Sequence, residues 1–175
     1  MIQVIPDILT SAEAQELLNM TPKNQSINSF SNKIVQKVAN TYQSKIKDQT
    51  FILEGPSYWR VENRPKGHTW HYDGCKKIDG KLVNNHMPWC RIGTTALLTP
   101  HDQFTGGELS FKQAGKEFQI EDHYLNGVMY SAGKDDNPSL HKVEKHSGKR
   151  TVLLMFFATN PVSKDQLKGN TIWLK

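Results

Sequence analysis

The stretch HTWHYDGC, residues 68–75, places His71 two residues before Asp73. In an extended strand, alternate side chains point to the same face, about 7 Å apart along the backbone. An imidazole and a carboxylate at this spacing can both bind one metal ion. Two ligands do not complete a site, so the spacing predicts a metal centre whose third ligand lies elsewhere in the chain.

His141 is the best candidate for the third ligand among the seven histidines. It begins a short predicted strand, LHKVE, which is expected to turn at Ser147-Gly148 into the apolar strand over residues 151–157. Antiparallel pairing near the mouth of a β-sandwich would bring His141 beside the first two ligands. His146 competes for the role, but it lies beside the predicted turn and is expected to be more exposed to solvent.

The chemistry of this ligand set depends on the coordination positions of the metal that it leaves free. Two histidines and one carboxylate on one face of a metal form the facial triad typical of non-haem Fe(II) oxygenases. The opposite positions then remain free for an organic acid and dioxygen. A catalytic zinc ion accepts the same residue types, so the ligands alone leave the metal undecided.

Arg150 favours iron chemistry over zinc. It lies nine residues after His141, at the start of the next predicted strand. A buried guanidinium there would hold the far carboxylate of a dicarboxylic cosubstrate through a bidentate pair. The alternative is a turn arginine with a solvated head, and the residue alone does not choose between the two.

The elements that must position these residues fall into two parts. Residues 1–50 are expected to be mostly helical, with a capping box at Thr10–Glu13 and an apolar stripe over residues 30–46 at helical spacing. Residues 51–175 carry seven short apolar runs separated by turn residues: FILEG, SYWRVE, IGTTALLT, GELSFK, FQI, GVMYSA and TVLLMFF. These runs predict an antiparallel β-sandwich, with Gly106-Gly107 as a turn or bulge. We expect one domain over residues 1–175, an all-β core with helices packed on one side.

The ordered motifs resemble a known family. His-x-Asp at residues 71–73, then His-x-Val at 141–143 and Gly-x-Arg at 148–150 ahead of an apolar strand, resemble the 2-oxoglutarate- and Fe(II)-dependent dioxygenases, most closely their prolyl-4-hydroxylase-like branch. IPDILTSAEAQELL is similar to that branch's N-terminal strand and helix, and TGGELSF to its Gly-Gly-x-Leu-x-Phe strand.

The resemblance implies a fold, a site and a reaction. The fold would be a double-stranded β-helix, a jelly roll of the cupin type. His71, Asp73 and His141 would bind Fe(II), and Arg150 would bind the distal carboxylate of 2-oxoglutarate. O2 and 2-oxoglutarate would be consumed, succinate released and an unactivated C–H hydroxylated, with a prolyl residue of a peptide or protein as the expected target and ascorbate as an expected addition.

The chain departs from the branch at its tyrosines. His68 stands three residues before the first ligand, where the branch usually has a tyrosine, and Val61 or Glu62 stands at the earlier tyrosine position. Tyr58 has the strand parity to supply a hydroxyl to the cosubstrate. Arg91 matches the branch and is expected to contact substrate. Because Asp73 keeps the carboxylate that related halogenases lose, hydroxylation is the expected outcome.

Residues 74–91 form a long connection that is expected to bind substrate. Lys76, Lys77, Lys81 and Trp89 would hold an extended, acidic polypeptide, while a mobile solvated loop is the equally weighted alternative. An oxygenase acting on nucleic acid or a small molecule is a second hypothesis, although no aromatic cluster in a basic stretch indicates nucleic acid. A non-catalytic β-sandwich binding module with structural histidines is the third.

Composition agrees with a globular chain and sets few further limits. Of 175 residues, 37% are hydrophobic and 22% charged, and the net charge of +5 is spread along the sequence. No apolar run is long enough to predict a membrane span, and no signal peptide pattern is present, so a cytoplasmic location is expected. Cys75 and Cys90 fit no zinc spacing and are expected to be free thiols.

Overall fold

The computed structural model describes residues 1–19, 32–46, 56–121 and 123–159, with the backbone alone for residues 56–58. These ranges contain two α-helices, α1 (Ser11–Leu18) and α2 (Lys33–Ser44), and thirteen β-strands. The strands are β1 (Ile2–Ile5), β2 (Pro56–Glu62), β3 (His68–His71), β4 (Cys75–Ile78), β5 (Lys81–Asn84), β6 (Ile92–Leu97), β7 (Phe104–Gly106), β8 (Leu109–Gln113), β9 (Lys116–Gln119), β10 (Gly127–Ser131), β11 (Leu140–Val143), β12 (His146–Gly148) and β13 (Val152–Phe157).

Five antiparallel strands form the larger sheet, in the order β1-β10-β6-β13-β2. Successive side chains of a strand point to opposite faces. In β13, Leu154 and Phe156 therefore line a cavity on the inner face, whereas Leu153 and Met155 are buried with the helices on the outer face. The alternation gives this sheet one face for the core and one for the site.

The smaller sheet covers the cavity from the other side. It contains four strands in the order β3-β11-β8-β9, and two further pairs, the β4–β5 hairpin and β7 with β12, form separate two-stranded sheets. Phe111 of β8 is fully buried and packs with Val128 and Tyr130 of β10, so an apolar cluster joins the two sheets. The arrangement is the predicted antiparallel sandwich.

The two helices pack on the outer face of the larger sheet. The predicted capping box starts α1, because Thr10 Oγ1 accepts from the Glu13 amide at 3.2 Å and Glu13 Oε2 accepts from the Thr10 amide at 2.8 Å. Helix α2 buries the predicted apolar stripe: Ile34, Val35, Val38, Ala39 and Tyr42. Full burial of each large apolar side chain contributes about 1.5–3 kcal/mol, which explains why α2 docks on the sheet.

Most sequence predictions of elements are confirmed. SYWRVE, IGTTALLT, GELSFK, FQI, GVMYSA and TVLLMFF fall on β2, β6, β8, β9, β10 and β13, and FILEG lies outside the described residues. Gly106 and Gly107 have φ of 75° and 78°, as a turn at a strand entrance requires. The mostly helical first part also contributes β1 to the larger sheet. The single domain over residues 1–175 stays a prediction.

Two predicted loops are strands instead. The expected turn at Ser147-Gly148 is part of β12, which pairs with β7 and lies between β11 and β13 in the chain. Residues 74–91 do not form one open loop, because β4 and β5 pair as a hairpin. Cys75 and Cys90 are buried free thiols, in agreement with the prediction.

None of the described helices has the length and apolar character needed to cross a membrane. The cytoplasmic location stays a prediction.

Candidate metal centre

The three predicted ligands lie together at the mouth of the sandwich. One ligand atom from each of His71, Asp73 and His141 falls within 4.8 Å of the other two. His71 Nε2 lies 3.5 Å from Asp73 Oδ1, and His141 Nε2 lies 3.8 Å from Asp73 Oδ2. Nitrogen and oxygen atoms that converge at these distances can bind a single divalent ion.

Strand pairing brings the two histidines together. His71 and His141 are direct partners in the antiparallel ladder of β3 with β11. Asp73, however, lies beyond the end of β3, which the predicted strand geometry did not foresee. The chain bends at residues 73 and 74, where the Gly74 amide donates to the Ala132 carbonyl at 3.1 Å, and the Asp73 carboxylate lies near both histidines.

Backbone carbonyls fix the tautomer of both histidines. His71 Nδ1 lies 2.7 Å from the Thr69 carbonyl, and His141 Nδ1 lies 3.0 Å from the Ser139 carbonyl. A carbonyl oxygen only accepts, so each Nδ1 must donate. In a neutral imidazole the lone pair is then on Nε2, the atom that faces Asp73. This second hydrogen bond is the usual device that orients a metal-binding histidine.

Asp73 is held as a carboxylate by its surroundings. Its side chain is only 11% exposed, and burial by itself raises the pKa. The nearby His141 and His71 and a 2.8 Å hydrogen bond from Tyr130 outweigh burial, so the pKa of Asp73 is well below its ordinary value. Gly93 makes room for this pair, because a Cβ there would lie 2.6 Å from Asp73 Oδ2.

Replacing Tyr130 by phenylalanine is expected to weaken metal binding about 10- to 100-fold, the usual effect of losing a hydrogen bond to a ligand. The phenol ring packs against Phe111 and His141, so Tyr130→Phe keeps the packing and removes only the hydroxyl. Calorimetric titration of metal-stripped protein with Fe(II) under argon measures the change. An unchanged affinity would show that the hydroxyl does not act on Asp73.

Arg150 lies in the same cavity and is buried, with 6% of its surface exposed. Its side chain packs on Gly107, where a Cβ would lie 2.3 Å from Arg150 Cδ. Among the described residues no carboxylate forms an ion pair with it, and burial lowers its pKa to about 10 despite the more distant Glu108 and Glu62. The alternative of a solvated turn arginine does not hold.

Neutral histidines surround Arg150 on the side away from the cavity. His146 was expected to be exposed, but it is buried against Phe104 because β12 pairs with β7. It lies outside the ligand cluster. His123 is also buried, and its Nε2 lies 3.5 Å from the Thr95 carbonyl. Burial first, and then the charge of Arg150, lowers the pKa of His123 to about 3.

The buried His123 predicts a loss of stability in acid. Its pKa is lower in the folded chain, about 3, than the usual value near 6.5 in an unfolded chain, so the unfolded state binds the extra proton. Stability is therefore complete above pH 6.5 and declines as the pH falls toward 3. At pH 5 this one group is expected to cost about 2 kcal/mol of unfolding free energy.

Urea unfolding between pH 7.5 and pH 4.5 measures this effect. His123→Gln keeps an amide that can donate to Thr95 but cannot titrate, and it should flatten the slope with pH. An unchanged slope in a folded His123→Gln protein would contradict the assignment.

The cavity between the sheets has a volume of about 630 Å³. Its wall includes the three ligands and Arg150, together with Arg60 and Thr95 of the larger sheet. The walls from β13 are apolar. The cavity is large enough for a small organic acid with part of a second molecule.

Two other predicted site residues, Trp89 and Arg91, do not line the cavity, and the side chain of a third is not described. Trp89 does not line the cavity, since it is buried in an apolar cluster with Met87 and Cys90. Arg91 does not line it either, because both Nε and a terminal nitrogen donate to the Asp136 carboxylate. The side chain of Tyr58 lies outside the described residues.

His68 lies three residues before His71 in the chain. Its ring stacks on His71, with ring centroids 3.5 Å apart, and it lines the cavity. Burial, His71 and Arg64 lower the pKa of His68 to about 3, so it is neutral at physiological pH. A neutral imidazole thus packs beside His71.

Sequence reasoning missed four residues that shape the site: Tyr130, Gly93, Asn85 and Arg60. Asn85 Nδ2 donates to the Asp73 carbonyl at 2.6 Å and ties the β4–β5 hairpin to the ligand segment. The inward position of Arg60 follows from strand alternation in SYWRVE, since it pairs with cavity-lining Leu154. The other contacts have no local sequence signal.

Comparison with known proteins gives matches in structure only. No protein-family model and no curated protein matches the sequence. The structure is similar to a prolyl hydroxylase from Trichoplax adhaerens in complex with a hypoxia inducible factor peptide fragment. The TM-score is 0.64 and the sequence identity 12%, and the match covers 90% of this chain and 83% of the other. It is also similar to a Pseudomonas putida prolyl-4-hydroxylase, with a TM-score of 0.63 and 13% sequence identity. That match covers 90% of this chain and 91% of the other.

A third similar structure is the viral collagen prolyl hydroxylase of Paramecium Bursaria Chlorella virus-1 in its 2OG complex, with TM-score 0.60 and 13% identity over 90% and 94% of the two chains. At such low identity these likenesses establish the fold. The chain has the double-stranded β-helix of the jelly-roll type, as predicted from the sequence.

Proposed function

We propose that this chain is an Fe(II)- and 2-oxoglutarate-dependent dioxygenase. The observation that carries the proposal is the convergence of His71, Asp73 and His141 in a cavity that also contains the buried Arg150. Two histidines and one carboxylate are the ligand set of non-haem Fe(II) oxygenases, and they leave coordination positions open. A fold shared with three prolyl hydroxylases supports the same class.

Each residue has a definite part in this reaction. The iron, when bound, would supply the activation of O2 that drives decarboxylation of 2-oxoglutarate to succinate and oxidation of a C–H bond. His71, Asp73 and His141 would hold it through Nε2 and carboxylate atoms. Arg150 would form a bidentate pair with the distal carboxylate of 2-oxoglutarate, and its lack of an ion-pair partner among the described residues leaves it available.

The chain's own residues also exclude water from the reaction. Val152, Leu154 and Phe156 form an apolar wall of the cavity, and the Tyr130 ring closes it beside the ligands. A dry wall strengthens the charge pairing of Arg150 and limits reaction of oxidants with solvent. We propose that the single domain over residues 1–175 contains the complete active site.

The proposed substrate is a prolyl residue of a peptide or protein, hydroxylated at an unactivated C–H. The support is the resemblance of the motifs and the fold shared with prolyl hydroxylases, one of which is in complex with a peptide. Ascorbate is proposed as a reductant that keeps the iron in its Fe(II) state between turnovers.

Metal-stripped protein incubated with Fe(II), 2-oxoglutarate, ascorbate and O2 tests the proposal. Succinate is measured with and without proline-containing peptides, and binding of 2-oxoglutarate is measured separately under argon. Metal-dependent binding of 2-oxoglutarate and succinate that increases with a peptide are expected. Failure to bind 2-oxoglutarate in the presence of iron would reject the dioxygenase and favour a non-catalytic binding module.

A further inference from the structure

The cavity carries an excess of positive charge. Two carboxylates, Glu62 and Asp73, line the described part of it, against five cationic side chains: Arg60, Arg64, Lys76, Lys77 and Arg150. With neutral histidines the lining has three net positive charges. A divalent metal adds two and 2-oxoglutarate removes two, so the excess remains when both are bound. A cleft of one sign attracts ligands of the opposite sign.

The two carboxylates are already engaged. Glu62 lies between two arginines, 2.9 Å from Arg60 and 3.3 Å from Arg64, so one negative charge is shared by two positive ones. Asp73 belongs to the ligand cluster. Neither carboxylate therefore neutralises the lysines at the rim.

Lys76 and Lys77 form this rim on the exposed strand β4. No carboxylate of the described residues lies within ion-pair distance of either amine. Asn85 Nδ2 donates to the Asp73 and Cys75 carbonyls and ties the hairpin to the Asp73 segment, so both lysines belong to the cavity that contains the candidate ligands. Lys81, on the paired strand β5, does not line the cavity.

We propose, resting on the function proposed above, that the primary substrate is an acidic polypeptide segment. Its carboxylate side chains flank the residue that is hydroxylated and pair with Lys76 and Lys77 at the rim. Within the 74–91 segment, Lys76 and Lys77 would therefore bind the substrate. Trp89 would not, because it is buried away from the cavity.

The rim favours a short acidic peptide over a nucleic acid strand. Beside the cavity-lining Trp70, the Lys142 amine is neutralised by Glu117 at 2.9 Å and Glu144 at 2.6 Å. Lys112 lies over the same ring, so two lysines and two glutamates balance there, and a long polyanion that continued past Trp70 would gain no net attraction. A peptide with a few acidic residues can bind through Lys76 and Lys77 alone.

Fluorescence anisotropy with labelled peptides tests the proposal. The probes are short peptides with one central proline flanked by glutamates, glutamines or lysines, and a single-stranded oligonucleotide of the same charge as the glutamate peptide. They are titrated into metal-free protein and into protein with Fe(II) and 2-oxoglutarate under argon. We expect the glutamate peptide to bind about tenfold more tightly than the glutamine peptide, and less so as salt is raised.

Variants of the hairpin provide the matched control. The double variant Lys76→Gln and Lys77→Gln should weaken binding of the glutamate peptide about five- to tenfold, because each exposed charge contact contributes modestly. Lys81→Gln removes an equally exposed charge of the same hairpin and should have no effect. Equal binding of the glutamate and glutamine peptides, or equal effects of all the lysine variants, would overturn the proposal.

The two proposals fail in different ways. Tighter binding of the oligonucleotide than of the glutamate peptide would reject the peptide assignment, while anaerobic binding of 2-oxoglutarate would still support the dioxygenase. The opposite result is also possible: metal-free protein prefers the glutamate peptide, but protein supplied with Fe(II) does not bind 2-oxoglutarate. That result would support the acidic-peptide surface and reject the dioxygenase.

Discussion

Replacing His141 by alanine is expected to lower the affinity for Fe(II) more than about 100-fold and to abolish iron-dependent succinate formation. Loss of a residue that only supports a ligand already costs 10- to 100-fold, and loss of the ligand itself costs more. His141 is 3% exposed, so replacement of its nitrogen by bulk solvent is restricted. Titration with Fe(II) under argon and a succinate assay on the same sample measure both effects.

The control for this experiment is His101→Gln, which changes an exposed histidine outside the ligand cluster. It should keep both metal affinity and turnover. Because His141 also packs on Phe111 and Tyr130, circular dichroism of the variant must show a folded chain. If a folded His141→Ala protein still binds iron tightly, His141 is not a metal ligand, and the hypothesis of structural histidines is favoured.

Replacing Arg150 by methionine is expected to weaken 2-oxoglutarate binding by about 30-fold or more and to leave iron binding unchanged. Removing one partner of a buried charge pair costs about 2–5 kcal/mol, which corresponds to roughly 30- to 4000-fold in affinity. Methionine keeps much of the length and volume of the side chain against Gly107. Binding of 2-oxoglutarate to iron-loaded protein under argon is the measurement.

The same variant is expected to be more stable than the unsubstituted protein when 2-oxoglutarate is absent. Arg150 is buried and its pKa is lowered to about 10 by burial, which means that its charge opposes folding. Apolar replacement of buried ionic groups stabilises proteins by about 1–4 kcal/mol. A rise in the unfolding midpoint together with loss of cosubstrate binding is a result that general misfolding would not produce. Unchanged binding of 2-oxoglutarate would show that Arg150 does not bind the cosubstrate.

The convergence of the three candidate ligands was predictable because its signals are local. His71 and Asp73 are two residues apart, and His141 stands in a motif of fixed order before an apolar strand. The reason given for Asp73 was incomplete, because β3 ends at His71 and a bend after it aims the carboxylate. The three side chains therefore converge even though the strand boundary differs from the predicted one.

The surroundings of the site were not predictable from the sequence. Tyr130 bonds to Asp73 across 57 positions of the chain, and Gly93 approaches the same carboxylate from another strand. Such contacts depend on strand order, which short apolar runs do not specify. His146 was placed at an exposed turn because the Ser-Gly sequence after it is typical of turns, and pairing of β12 with β7 overrode that preference.

The ligand cluster lies across the gap between the two sheets. His71 and His141 come from the smaller sheet, while Asp73 touches Tyr130 and Gly93 of the larger one. A bound ion would therefore act as a noncovalent crosslink between the sheets. At a metal concentration 100 times Kd it would add about 2.7 kcal/mol to stability. The amide protons of β3 and β11 would then exchange more slowly in loaded protein, so one ion would both serve the chemistry and regulate how often the sandwich opens.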